Sequence, residues 1–277
     1  AMGQGATTGS LVVTLEALKE MHLTPEDIQL IQNDTKTCPD TGMAGASRSL
    51  YMDGNATIIA ANKLLAAMRK EDGTLRTYDE MKAEGIETKY LGRYETNTTP
   101  GLCRLDPNTG IGDPTPAFTY CLNLAEVEVD TKTGKTTVLK FTCVDFVGRI
   151  GNIDAVNGQA YSGIMHGIGF ALKEDYADVK KHANMFGAGT SYIKDVPDDI
   201  NLIHIDGAIS DGPFGSSGAS EAFQASGHCA VLNGIYNACG VRIHEIPALP
   251  EKVKAGLDAI AKGEKPYEPK KYFLGSD

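Results

Sequence analysis

Three glycine-rich runs, each emptying directly into a helix-forming stretch, constrain this chain more than any other feature. They are Met2-Gly3-Gln4-Gly5-Ala6-Thr7-Thr8-Gly9, Thr41-Gly42-Met43-Ala44-Gly45-Ala46-Ser47-Arg48 and Gly212-Pro213-Phe214-Gly215-Ser216-Ser217-Gly218-Ala219-Ser220-Glu221. Glycine is unfavourable inside regular elements, and it is used where backbone must turn sharply or come close to something. The chain holds 31 glycines in 277 residues, well above the usual ~7%. A glycine loop opening a helix points unpaired first-turn N–H groups at whatever lies in front of it, and the helix dipole favours negative charge there. Each loop by itself is equally consistent with ordinary turn and cap chemistry. Together they point to an anionic, phosphate-bearing ligand. None is a P-loop, because no G-K-[ST] occurs, and none follows a buried parallel strand as a dinucleotide fingerprint does.

Charge and hydropathy narrow the partners. A net charge of −10 argues against nucleic acid and anionic membrane surfaces. With 42% apolar residues a substantial core can form. No apolar run approaches the ~18 residues of a membrane span. The chain opens without a basic stretch followed by an apolar one, so no secretion signal is expected. Six widely spaced cysteines (Cys38, Cys103, Cys121, Cys143, Cys229, Cys239) match no metal or iron–sulfur spacing. They are expected to be reduced and mostly buried, which fits a cytoplasmic protein.

Periodicity predicts a mixed α+β chain of helices and antiparallel sheets. Helices are expected over 8–22, with Thr7, Thr8 and Ser10 offering caps, over 47–69 and, weakly, over 78–83. A helix start is also expected at Thr24-Pro25. A glycine-rich helix should cover 154–175, and further helices 219–239 and 250–261. Strands are expected over 28–32, 118–129, 136–146, 198–206 and 241–246. The second and third of these form a hairpin around Asp130 to Lys135. Residues 70–116 read as a connector or surface insertion within a region that otherwise runs through 1–277.

Two side chains stand out. Glu221 falls in the first turn of a helix behind the third loop. There it either complements the dipole or acts as a general base beside a ligand. Gln159 lies one turn ahead of Gly163 and two turns ahead of Gly167. Small residues four apart admit either another backbone or a flat cofactor. His166 on the same helix lacks companions for a metal site, and the other histidines form no cluster.

The wording of several segments resembles the molybdenum hydroxylases of the xanthine oxidase and aldehyde oxidoreductase family. The run from Gly212 to Glu221 is similar to the segment preceding that family's catalytic glutamate. Gly158-Gln159 to Leu172, and Gly240-Val241-Arg242-Ile243 through Pro250-Glu251-Lys252-Val253, also look like it. Gly3-Gln4-Gly5 and Gly45-Ala46-Ser47-Arg48 match two further cofactor loops. The sequence departs from the pattern at Ser220, where the family usually has Gly, and at His166, where it commonly has Gln.

The resemblance is to the prokaryotic aldehyde oxidoreductases that carry molybdopterin cytosine dinucleotide with molybdenum. It implies that the chain is the C-terminal part of the molybdenum-binding portion, built from two intertwined α+β subdomains. It also implies that Met2, Gly3, Gln4 and Gly5, with Ala44, Gly45, Ala46, Ser47, Arg48 and Ser49, cradle the cofactor. Gln159 would hydrogen-bond it, Ser217, Gly218, Ala219 and Ser220 would line it, and Glu221 would be the catalytic base. No protein side chain is expected to ligate the metal directly. The implied reaction oxidises an aldehyde to a carboxylic acid with water-derived oxygen, passing electrons to iron–sulfur clusters on other domains or subunits. The expected partners are those domains, the N-terminal molybdenum-binding portion and a second copy of the full enzyme. Hydroxylation of a purine- or nicotinate-type heterocycle, or a non-catalytic structural subunit of the same fold, are the alternatives.

Overall fold

The computed structural model describes residues 2–32, 34–96, 104–113 and 115–264, so Cys103 and part of the 70–116 segment lie outside the described residues. The chain divides into two compact units, each assembled from several separated stretches. The first comprises residues 1–120, 146–156 and 205–219. The second comprises 121–145, 157–204 and 220–277.

In the first unit, α1 (Ala6–Ala17) lies along α2 (Ser49–Met68). Gly9 admits the Leu50 side chain near their N-terminal ends. Further along, Leu18 packs with Ala61 and Leu65 in a small apolar cluster completed by Met21, Leu23 and Leu75. The two helices therefore run in the same direction, with their N-termini at one end. The expected caps at Thr7, Thr8 and Ser10 are not used. Gly5, at φ 91°, is the N-cap of α1, because the left-handed turn that enters the helix suits glycine. Ser10 instead bonds back to the Ala6 carbonyl.

A short helix α3 (Tyr78–Ala83) forms where expected, held by a reciprocal capping box between Thr77 and Glu80. Two-residue strands β1 (Arg104–Leu105) and β2 (Gly112–Asp113) pair antiparallel. The Thr24-Pro25 start yields only one 3₁₀ turn, Pro25–Asp27, closed by Asp27 on Thr24. The strand expected over 28–32 does not form. Its apolar positions Leu30 and Ile31 are exposed, and no strand pairs with them among the described residues.

The second unit is built on strands β3 (Tyr120–Val129) and β4 (Thr136–Phe146), joined by the expected hairpin turn. Asp130 organises that turn through Lys132 N–H and the Thr133 hydroxyl. Long helix α4 (Ile153–Leu172) follows, then short α5 (Met185–Ala188) and strand β5 (Asp199–His204). The sheet order is β3-β4-β5. Here the sheet departs from an all-antiparallel one, since β5 pairs parallel to β4, from Lys140↔Asp199 to Asp145↔His204. The long connection through α4 makes that direction possible.

The helix expected over 219–239 is two helices, α6 (Ser220–Ala225) and α7 (Gly227–Cys239). The break falls at Ser226, where the side-chain amide of Asn123 on β3 donates to the Ser226 hydroxyl and to the Phe223 carbonyl. Periodicity continues across the break, so sequence pattern does not reveal it. The strand expected over 241–246 is likewise absent. Its buried residue Val241 packs against Gly256 of α8 (Pro250–Ala261) rather than joining a sheet.

Buried residues Phe141, Cys143 and Asp145 point inward from β4, as Ile164, Ile168 and Ala171 do from α4 and Val231 and Ile235 from α7. Phe141 reaches Gly227 at the start of α7, and Val127 meets Gly234 further along it. The opposite face of the sheet leaves Leu122, Leu124 and Ile203 about half exposed.

Candidate functional site

Within the first unit, the first two glycine loops converge because the two helices they open lie side by side. Gln4, Ala6, Thr41, Met43, Ala44, Arg48, Ser49, Met52 and Asp53 line one cavity of about 90 Å³. Neither α1 nor α2 has a side-chain cap or an acidic residue in its first turn. Two helix N-termini pointing the same way repel through their dipoles, and an anion placed before both relieves that repulsion. Gly3, at φ 96°, faces open space on its Cβ side, and the Gln4 side chain folds back to accept the Met2 N–H at 2.6 Å. Arg48 supplies the cavity's cation. Burial raises the carboxyl of Asp53 above its ordinary range, partly countered by Arg48. Met52 and Asp53 were not singled out from sequence, since they belong to the cavity only once α2 is placed, and Thr41 was named only as the start of the second loop.

The third loop joins this assembly through backbone alone. A Cβ on Gly218 would stand 1.6 Å from the Ser47 carbonyl oxygen. Ala46 and Ser47 hold φ of 52° and 53°, a left-handed pair that is costly for residues with side chains. The loop itself is pinned by Arg149 N–H and Ile209 N–H, both donating to the Gly215 carbonyl at 2.9 Å, and by Ser216 Oγ donating to Arg149 O at 2.7 Å. Asn55 of α2 donates to the Asp211 carbonyl, and Gly54 leaves room for Pro213. Gly218 is therefore glycine because the backbone of the 45–48 loop passes over it. Gly45 differs, because its Cβ side meets only the flexible Met43 side chain.

In the second unit, the glycines of α4 prove to serve helix packing. A Cβ at Gly163 would meet Phe223 and Gln224, and one at Gly167 would meet Gly227 and His228. Both chains advance by four residues between the two contacts, so α4 and the α6–α7 pair run parallel and in step. No room for a flat ligand remains at those glycines. One turn earlier, the same step puts half-buried Gln159 level with the start of α6, where Glu221 stands exposed in the first turn. Ser220 opens that helix. Gln159 and Glu221 thus come from separate segments to the same end of one helix pair. His166 is exposed and lies edge-on to Phe170.

A polar cluster that sequence reading left unassigned fixes this end of α4. His204 Nδ1 lies 2.8 Å from Asp145 Oδ2, and its Nε2 lies 2.8 Å from Asn157 Oδ1, two residues before Gln159. Asp145 is fully buried and its Oδ1 has no hydrogen-bond partner. Burial raises the Asp145 carboxyl above its usual range, against the opposing pull of His204. Long sequence separation conceals the pairing, although the β4–β5 register places the two residues opposite each other.

Comparison with known proteins gives the family. The molybdopterin cofactor-binding domain model matches residues 1–197, which includes the first two loops and Gln159 but ends before Glu221. The aldehyde oxidoreductase of Megalodesulfovibrio gigas is 42% identical over 257 residues, covering 93% of this chain and 28% of that protein. The crystal structure of the aldehyde oxidoreductase from Desulfovibrio desulfuricans superposes with a TM-score of 0.86 at 45% identity, over 91% of this chain and 27% of that one. A probable hypoxanthine oxidase of Escherichia coli is 28% identical over 274 residues, again 28% of its length. The chain thus spans less than a third of each of these relatives. It belongs to the molybdopterin cofactor-binding domain family, close to the Desulfovibrio and Megalodesulfovibrio aldehyde oxidoreductases.

Proposed function

We propose that this chain is part of a molybdenum-dependent aldehyde oxidoreductase and binds molybdopterin cytosine dinucleotide. The observation that carries the reading is the pair of uncapped helix N-termini meeting at one cavity beside Arg48. Those features suit the phosphates of a dinucleotide cofactor. Met2 to Gly5 and Ala44 to Ser49 would hold these phosphates through backbone N–H groups and the Arg48 guanidinium, while Gln159 would hydrogen-bond the pterin. Ser217 to Ser220 would line the cofactor. When bound, the cofactor supplies a two-electron oxidising centre. Glu221 would act as the general base, accepting the proton of the water that provides the product's oxygen.

Electrons would leave to iron–sulfur clusters on domains or subunits outside this chain. The half-exposed Leu122, Leu124 and Ile203 on the sheet's outer face support association with such parts. We place the full enzyme in the cytoplasm, in keeping with the free thiols of the described cysteines, and take it to be a homodimer. A second reading, oxidation of a purine-type heterocycle, is supported by the relative named as a hypoxanthine oxidase. The higher identity to aldehyde oxidoreductases favours the first. The test is molybdenum and pterin analysis of the purified native protein, followed by turnover against aldehyde and purine panels with an artificial electron acceptor. Aldehyde turnover with bound molybdenum supports the reading. Purine turnover alone moves it to the second, and absence of molybdenum overturns both.

A further inference from the structure

Two thiols that the proposed reaction does not use lie in contact across the β3–β4 hairpin. Cys121 Sγ and Cys143 Sγ are 3.4 Å apart, and both are free thiols. Strands β3 and β4 are hydrogen-bonded neighbours. Facing residues on such strands have Cα atoms ~4.5–5.5 Å apart, inside the ~4.4–6.8 Å range a disulfide needs. To bond, the sulfurs must close from 3.4 Å to the ~2.05 Å of a disulfide by rotation of one or both side chains. The two environments differ: Cys143 is completely buried, whereas Cys121 is partly exposed and near Asn123 Oδ1 at 3.7 Å.

We propose that Cys121 and Cys143 are a peroxide-sensing thiol pair that closes reversibly to a disulfide. Cys121 is the attacked thiol and Cys143 the resolving one. The sulfur–sulfur hydrogen bond holds the Cys121 thiol below its ordinary range and, together with burial, pushes the Cys143 thiol up. The more easily formed thiolate is therefore also the more accessible of the two. In the first step the Cys121 thiolate attacks one oxygen of a hydroperoxide. The O–O bond breaks, an alcohol or water leaves, and Cys121 becomes a sulfenic acid. In the second step the Cys143 sulfur attacks Cys121 Sγ, and the sulfenic oxygen departs as water with the Cys143 proton. Two thiols are oxidised by two electrons, and one hydroperoxide is reduced. A small thiol in excess reverses the reaction by exchange.

The cross-link would fall on strand β3 two residues from Asn123, whose side-chain amide holds the α6–α7 break.

The purified native protein would be treated with hydrogen peroxide, alkylated under denaturing conditions and digested without reductant. The expected result is a peptide pair linked through Cys121 and Cys143, lost on adding dithiothreitol. In Cys143→Ser the same treatment should leave Cys121 as a sulfenic acid trapped by dimedone, and in Cys121→Ser the Cys143 thiol should remain alkylatable. The proposal is overturned if both wild-type thiols stay alkylatable after treatment. It is equally overturned if Cys121 proceeds to sulfinic acid while Cys143 is still a thiol.

Discussion

Gly218 and Ser47 are in backbone contact: a single added methyl on Gly218 would lie 1.6 Å from the Ser47 carbonyl oxygen. That oxygen belongs to a residue already held in the left-handed region, so the loop has little freedom to retreat. Gly218→Ala should therefore displace the 45–48 loop. Overpacking of this kind typically costs ~1–3 kcal/mol, and loss of bound cofactor should accompany it. Gly45→Ala, which meets only Met43, should stay within ~0.5 kcal/mol of wild type. Melting temperature and molybdenum content measured on both variants separate protein packing from cofactor contact. Equal behaviour of the two would refute the distinction.

Glu221→Gln keeps the size of the side chain and removes its basicity. If Glu221 is the base, molybdenum content and melting temperature should be preserved while turnover falls by ~10²–10⁴-fold. A helix-terminal charge acting only on the dipole would instead be worth ~0.3–1 kcal/mol of stability with turnover unchanged. Rate and metal content on one preparation decide between them.

The two α4 glycines Gly158 and Gly163 should respond in opposite directions. A Cβ at Gly163 would stand 2.6 Å from Phe223 Cβ, so Gly163→Ala must push α4 and α6 apart, at ~1–3 kcal/mol. Gly158 lies in the same helix with nothing within 4 Å of its Cβ position. Gly158→Ala should stabilise the helix by ~0.5–1 kcal/mol. Chemical denaturation of both variants provides the measurement, and destabilisation by Gly158→Ala would count against the packing described.

Asp145 offers a pH-dependent prediction. Its carboxyl is raised in the folded state by burial, so the unfolded chain ionises first as pH increases. The associated stability is fully present below the ordinary carboxylate pKa and is lost as pH rises through the higher folded value. Asp145→Asn removes that loss. Its denaturation midpoint, compared with wild type across a pH series, should therefore gain on wild type with rising pH. A difference independent of pH would mean that His204 compensates the buried charge at all pH values.

Much of this architecture is legible in the sequence. The hairpin announces itself because β3 and β4 alternate around Asp130, and α8 because Pro250-Glu251 opens it. Thr77 and Glu80 mark the start of α3 through chemistry that needs no tertiary partner. The strands expected over 28–32 and 241–246 failed for a tertiary reason. Apolar alternation says that a residue such as Val241 is buried, but not whether its cover is a strand or a helix like α8. The single helix expected over 219–239 failed because Asn123, a hundred residues away, takes the carbonyl that would have continued it. The free thiols also proved less buried than expected, with only Cys143 fully so among those described. At the candidate site, the loops and Glu221 were visible as local wording. The purpose of Gly163, Gly167 and Gly218 was not, because close approach needs a second partner that spacing does not name. His204 carried no local signal at all.

The parallel pairing of β5 with β4 also sets the order in which the second unit can assemble. The hairpin closes over a short turn and requires only local search. Strand β5 must wait for a chain segment that separates Asp145 from His204 by 59 positions. Loop-closure entropy and non-local pairing make such a step slow relative to helix and hairpin formation. Until it completes, Asp145 has no His204 and Asn157 has no anchor, so the start of α4 that carries Gln159 depends on this non-local pairing. If Gln159 holds the cofactor as proposed, insertion of the cofactor would follow the docking of β5.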